Sequence, residues 1–166
     1  MQLDPKSLQL LAIAALFALL YAGRMVKGSA RQTPEGLAFP LKPVVLWGRA
    51  LVLPLYFVLF AWPLWQREHH IPVWLPVLIF ALAVFVLAQM PGTIVLTPTG
   101  LTQHFWLRGT KSISYPDVMS IQAIGAGRMT RVLGANRVSI THTWNHAGAN
   151  EFIKELERRT GKRVIR

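Results

Sequence analysis

Two rhythms divide this chain. From Leu8 to Met90, apolar residues come in long runs with few charges. From Gly92 onward they alternate with polar residues, and from Ala149 they recur at helical spacing. The first run, Leu8 to Gly23, is rich in Leu and Ala and carries no charge. Extended to residues 7–25 it reaches about 19 residues, enough for a helix rising 1.5 Å per residue to cross a hydrocarbon core of roughly 30 Å. A second run covers 47–65 and a third 71–90. Pro54 predicts a kink in the second, and Pro72 suits the first turn of the third. Residues 66–70 join these two runs by a turn, which predicts an antiparallel helical hairpin with Trp62, Trp65 and Trp74 near its bend.

Charge orients these elements. Arg24, Lys27, Arg31, Lys42 and Arg49 separate the first two runs against Glu35 alone. Arg67 and Glu68 leave the later turn nearly neutral, and the stretch after Met90 holds eleven Lys and Arg against four acids. Basic loops stay on the cytoplasmic side. The expectation is therefore a multi-pass membrane protein with its N-terminus outside and its C-terminus cytoplasmic. A cleaved signal peptide is disfavoured because Asp4 offsets Lys6 and the basic residues follow the apolar run. The proline- and glycine-rich stretch 27–43 reads as irregular. It either lies on the membrane surface through Leu37, Phe39 and Leu41 or is a solvated linker.

Beyond Pro91-Gly92 the period changes to two. Thr93–Thr97, Leu101–Leu107, Lys111–Tyr115, Val118–Ile124, Arg128–Leu133 and Arg137–Thr143 predict six strands, separated by Gly and Pro turn signals. In the last of them Val138, Ile140, His142 and Trp144 share one face. A helix follows, with Phe152, Ile153 and Leu156 inward, Asn145 as a candidate N-cap and Gly161 as a C′ residue.

The segments Ile94-Val95-Leu96-Thr97-Pro98-Thr99-Gly100-Leu101 and Ser112-Ile113-Ser114-Tyr115-Pro116-Asp117-Val118 resemble bacterial pleckstrin-homology-like domain proteins. The resemblance covers roughly residues 92–160. It implies a bent antiparallel sheet or barrel capped by a C-terminal helix, commonly attached to membrane helices, and with the charge pattern it implies the bacterial plasma (inner) membrane. The expected fold class is thus an α+β membrane protein: a transmembrane region over 1–91, then a cytoplasmic pleckstrin-homology-like domain over 92–166. The resemblance departs from the phosphoinositide-binding branch, because the turn Pro98-Thr99-Gly100 carries no cation.

Composition limits the chemistry. Of 166 residues 52% are hydrophobic and 15% charged, with a net charge of +11. Cysteine is absent, which excludes disulfides and thiolate metal sites. Arg108, Lys111, Arg128, Arg131 and Arg137 form the candidate set for contact with anionic lipid headgroups. The five histidines lack metal-ligand spacing: His69 and His70 are adjacent, and His142 and His146 straddle a strand end. His142 is expected on the inner strand face and His104 on the outer. No nucleophile–base pairing, phosphate-binding loop or cofactor motif emerges, and neither catalysis nor a metal or cofactor is expected. Nucleic acid is set aside, since no recognition helix or basic stripe accompanies Phe105, Trp106 and Trp144.

The function these features point to is an interaction module, a protein–protein adaptor or assembly factor with a membrane or cytoplasmic protein partner. The alternative is a sensor of anionic phospholipid. The oligomeric state is left open.

Overall fold

The computed structural model describes residues 7, 10–11, 13–15, 17–18, 21, 26, 28–48, 51, 72–125 and 128–165, the side chain of Leu87 excepted. The chain divides into two compact units. One comprises Met1–Met25 and Pro43–Gln89, the other Val26–Lys42 and Met90–Arg166.

The first unit is helical where it is described. Residues 43–48 are helical, as are scattered positions between 7 and 21. Helix α1 covers Trp74–Ala88, 15 residues with no acid in its first turn and no base in its last. Its side chains are apolar on every face, and Trp74, Val77, Phe80 and Phe85 are all more than half exposed.

The three-span expectation is corrected here. Among the described residues no helix is long and apolar enough to cross a membrane. Helix α1 is the helical portion of the third run, which is described from Pro72 to Met90. At 1.5 Å per residue it extends about 22 Å, short of the roughly 30 Å of a hydrocarbon core. The physical reason lies at its ends. The amide of Leu75 bonds the carbonyl of Pro72, a turn that sets the start. At the other end Met90, only 1% exposed, belongs to the second unit. Most of the first run and nearly all of the second, from residue 52 to 65, lie outside the described residues, as does the turn at 66–70. The inner-membrane localisation and the orientation with the N-terminus outside rested on three spans, and they fall with them.

The second unit is α+β, built on two antiparallel-paired sheets. Strands β1 (Arg31–Thr33), β2 (Gly36–Phe39), β3 (Thr93–Leu96), β4 (Gly100–His104) and β5 (Lys111–Ser114) form the first sheet in sequence order. Strands β6 (Val118–Ile124), β7 (Met129–Gly134) and β8 (Ser139–Thr143) form most of the second, in the order β8-β7-β6. Helix α2 (Ala149–Thr160) follows, and β9 (Val164–Ile165) adds to β6 in parallel. The strands from β3 to β8 and the closing helix lie where alternation and helical spacing predict them, within a few residues.

The stretch 27–43 differs from its expectation. It holds the β1–β2 hairpin, and β2 pairs with β3 across more than fifty residues of sequence, Phe39 facing Ile94 and Leu37 facing Leu96. Phe39 is fully buried in the same core as Ile94, Leu101, Ile121, Ile140 and Phe152. Leu37 and Phe39 sit two apart, the spacing of a strand face, and Pro34-Glu35 makes the turn. The first unit thus interrupts the second between two neighbouring antiparallel strands.

Helix α2 closes the core by its apolar stripe. Phe152 and Leu156, one turn apart, are fully buried. Gly148, not Asn145, occupies the N-cap, in a left-handed conformation (φ 64°) suited to glycine. The Asn145 carbonyl instead accepts from the amide of Lys42. Gly161, also left-handed, ends the helix and donates to the carbonyl of Glu157 at 2.9 Å.

Candidate functional site

The residues between β8 and α2 hold both ends of the interruption. On the outgoing side, the amide of Ala147 donates to Pro40 O and the amide of Lys42 to Asn145 O, each at 2.9 Å. Leu41 forms a bridge to His146. On the returning side, His146 Nε2 lies 2.9 Å from the carbonyl of Gly92. Gly92 itself has no room for a side chain, since a Cβ there would overlap the carbonyl of His104.

Hydrogen bonding sets the state of this histidine. The amide of Thr143 donates to His146 Nδ1 at 3.1 Å, so Nδ1 is an acceptor and Nε2 carries the proton given to Gly92 O. His142 Nε2 likewise donates to the carbonyl of Ala147 at 3.1 Å. Its ring stacks on Phe152 with centroids 4.5 Å apart, and Phe39 meets both rings edge-on. His142 lies on the inner face as its strand pattern predicts, and His104 is exposed on the outer.

Burial dominates the electrostatics here. It pushes the His142 pKa down from 6.5 to about 3, with repulsion from His146 as a smaller cause. The same desolvation lowers His146, partly offset by its backbone bonds. Both imidazoles are neutral near pH 7, and their Nε2 protons are committed to backbone carbonyls. Among the described residues no group of three potential ligands could hold a metal ion. The pair clasps the chain.

A second polar cluster joins α2 to the first sheet. Arg159 donates to Thr97 O at 2.6 Å and approaches the Tyr115 hydroxyl at 3.1 Å, while Tyr115 donates to Thr97 O at 2.7 Å. Glu155 accepts from Arg159 one turn on, at 2.7 Å. The Arg158 and Arg159 guanidiniums hold the Glu155 carboxyl below its usual range. Burial is the main cause raising the Tyr115 pKa, with Arg159 opposing it.

The five candidate cations are distributed over both sheets. Arg128 precedes β7 at the end where Met129 pairs with Thr143. Arg137 follows β7 at the opposite end, where Leu133 pairs with Ser139, and adopts a positive φ of 58°. A six-residue strand between them spans about 20 Å. Arg131 is exposed midway along β7. Arg108 and Lys111 lie on the other sheet, in and after the β4–β5 connection. Only these two share an element with large exposed apolar residues, Trp106 and Leu107.

The remaining surface of note is a sheet edge, which attention to side chains alone passes over. Strand β1 ends the first sheet. Thr33 pairs with Gly36 across a two-residue turn, so they form the closing hydrogen-bonded pair. Gln32, opposite Leu37, is then a non-hydrogen-bonded position whose N–H and C=O point to the outer edge. Two residues earlier the amide of Ala30 points the same way, and it donates to the Glu151 carboxylate at 3.1 Å. Among the described residues no strand pairs with the outer side of β1.

No family model, no curated protein and no solved structure matches this chain.

Proposed function

We propose that the β-rich unit is a pleckstrin-homology-like interaction module that takes an extended segment of a partner protein along the outer edge of β1. The supporting observation is the register of the β1–β2 hairpin. It aims the backbone groups of Gln32 outward beside an amide, that of Ala30, already satisfied by an acidic acceptor. A strand adding here gains main-chain hydrogen bonds for affinity and side-chain contacts for specificity. The pleckstrin-homology-like reading is supported by antiparallel sheets whose shared core is closed by α2. A binding rather than a catalytic role is supported by the two buried histidines, whose Nε2 protons are committed to carbonyls.

The test is Gln32→Pro in the full chain. Proline removes the outward N–H while leaving the bonds of Arg31 and Thr33 to β2, a position where an edge strand tolerates it. Crosslinking with mass spectrometry on cells expressing either form is expected to recover a partner peptide bridged to residues 31–33 in the native chain and to lose it in the variant. Undiminished crosslinks in the variant would rule out pairing at this edge.

A further inference from the structure

The β4–β5 connection has a composition that the adaptor role does not use. Residues 105–110 read Phe-Trp-Leu-Arg-Gly-Thr, and Lys111 opens β5. Trp106 and Leu107 are each 63% exposed. The space around the tip is open, since a Cβ added at Gly109 would meet nothing within 4 Å. The tip is also braced. The Lys111 ammonium sits 5.5 Å from the centre of the Phe105 ring, and Thr110 Oγ1 lies 3.5 Å from His104 Nδ1.

Charge on this element has one sign. No acid occurs from Phe105 to Pro116, while Arg108 directly follows the apolar pair. The Glu35 carboxylate lies 3.8 Å from His104 Nε2, where β4 enters this connection. A Trp–Leu pair at an open tip with cations immediately behind it matches the gradient of a bilayer surface. The indole prefers the headgroup layer because its ring is apolar and its N–H polar, and the cations reach lipid phosphates along aliphatic stems. A protein groove would satisfy the apolar pair but gives no reason for an acid-free element.

We propose that this tip docks on an anionic lipid surface, with Trp106 and Leu107 seated at the headgroup boundary and Arg108 and Lys111 against lipid phosphates. The interaction is peripheral and requires no membrane-spanning helix. It selects two of the five cations and leaves Arg128, Arg131 and Arg137 outside the contact.

The absence of cysteine makes a local test direct. Because α1 also exposes apolar side chains, sedimentation of the whole chain with vesicles would not isolate the tip. Leu107→Cys in the full chain, labelled with an environment-sensitive fluorophore, reports on the tip alone, and labelled Lys154→Cys on the outer face of α2 serves as control. Vesicles of phosphatidylcholine with phosphatidylglycerol should blue-shift the Leu107→Cys label and leave the control unmoved. Pure phosphatidylcholine should shift it far less, and added salt should weaken the response to anionic vesicles. Arg108→Gln with Lys111→Gln in the same labelled chain should weaken vesicle affinity at this site roughly thirtyfold. Trp106→Cys provides a second reporter with the same expected response. The proposal is overturned by silence of both tip reporters on anionic vesicles, by equal response on neutral ones, or by a response that survives loss of the two cations. A shift that grows with protein concentration without vesicles would assign the tip to a second copy of the chain and equally overturn it.

Discussion

The imidazole of His146 donates to the carbonyl of Gly92, 54 positions earlier in the chain, at 2.9 Å. This bond pins the point where the chain re-enters the β-rich unit. Residues 145–147 hold the departing segment through Pro40, Leu41 and Lys42. One short connection therefore secures both ends of the interruption, and the consequences are measurable.

Replacing His146 by Ala removes a buried donor and leaves Gly92 O without its partner. The combined loss of hydrogen bond and packing is expected to cost on the order of 3 kcal/mol. The denaturant midpoint of the β-rich unit should fall accordingly. His146→Gln, which retains a donor, should lose less.

Acid should loosen the same clasp. Both histidines have folded-state pKa values below the ordinary 6.5, that of His142 at about 3. Between those limits the unfolded chain binds more protons than the folded one, so stability rises with pH. It is fully present above about pH 6.5 and is lost as pH falls toward 3. The expected slope is on the order of 1 kcal/mol per pH unit from His142, with His146 adding in the same direction. Denaturation midpoints from pH 7 to pH 4 measure it, and His142→Phe, which keeps the stack on Phe152, should flatten the curve.

Glycine 92 and glycine 109 should respond oppositely to alanine. At Gly92 the new methyl would collide with the His104 backbone, which cannot move without breaking the β3–β4 pairing. A loss of several kcal/mol is expected, on the order of other forced overpacking or greater. At Gly109 the methyl meets nothing within 4 Å. That variant should stay within about 0.5 kcal/mol of the native chain.

The folding unit should not be residues 92–166 alone. That fragment lacks β2 and with it Phe39, a fully buried member of the core. Joining residues 26–42 to 90–166 through a short Gly-Ser linker restores the strand. The ends to be joined lie close, since Leu41 bridges His146 and His146 bonds Gly92. Cooperative thermal unfolding is expected of the joined form and a non-cooperative profile of the fragment. Equal cooperativity in both would show that β2 is dispensable.

Tyr115→Phe should cost about 1 kcal/mol, the usual net worth of a hydrogen bond, because its hydroxyl donates to Thr97 O beside Arg159. Arg159→Lys should cost more, since it loses a planar donor that reaches both Glu155 and Thr97 O. Urea denaturation compares the two.

Local pattern was enough for the elements whose neighbours in space are also neighbours along the chain. Ser139–Thr143 alternates and pairs with the strand before it, and Phe152 and Leu156 mark the buried stripe of α2, so period and turn residues sufficed. His142 was placed inward by the same alternation. Other features depended on contacts that no local window contains. The role of Phe39 required its pairing with Ile94 across the apolar segment, which the prolines around it disguised. The extent of α1 was decided by Pro72 at one end and by the burial of Met90 in another unit, so an apolar run of about 20 residues yielded a helix of 15. Where each of the five candidate cations lies was likewise decided by which end of which strand it occupies. Sequence alone determined which residues prefer strand, helix or turn, because those preferences are local. Only the tertiary structure decided which strands pair and which cations share a surface, because pairing and proximity arise from closure of distant segments on a common core.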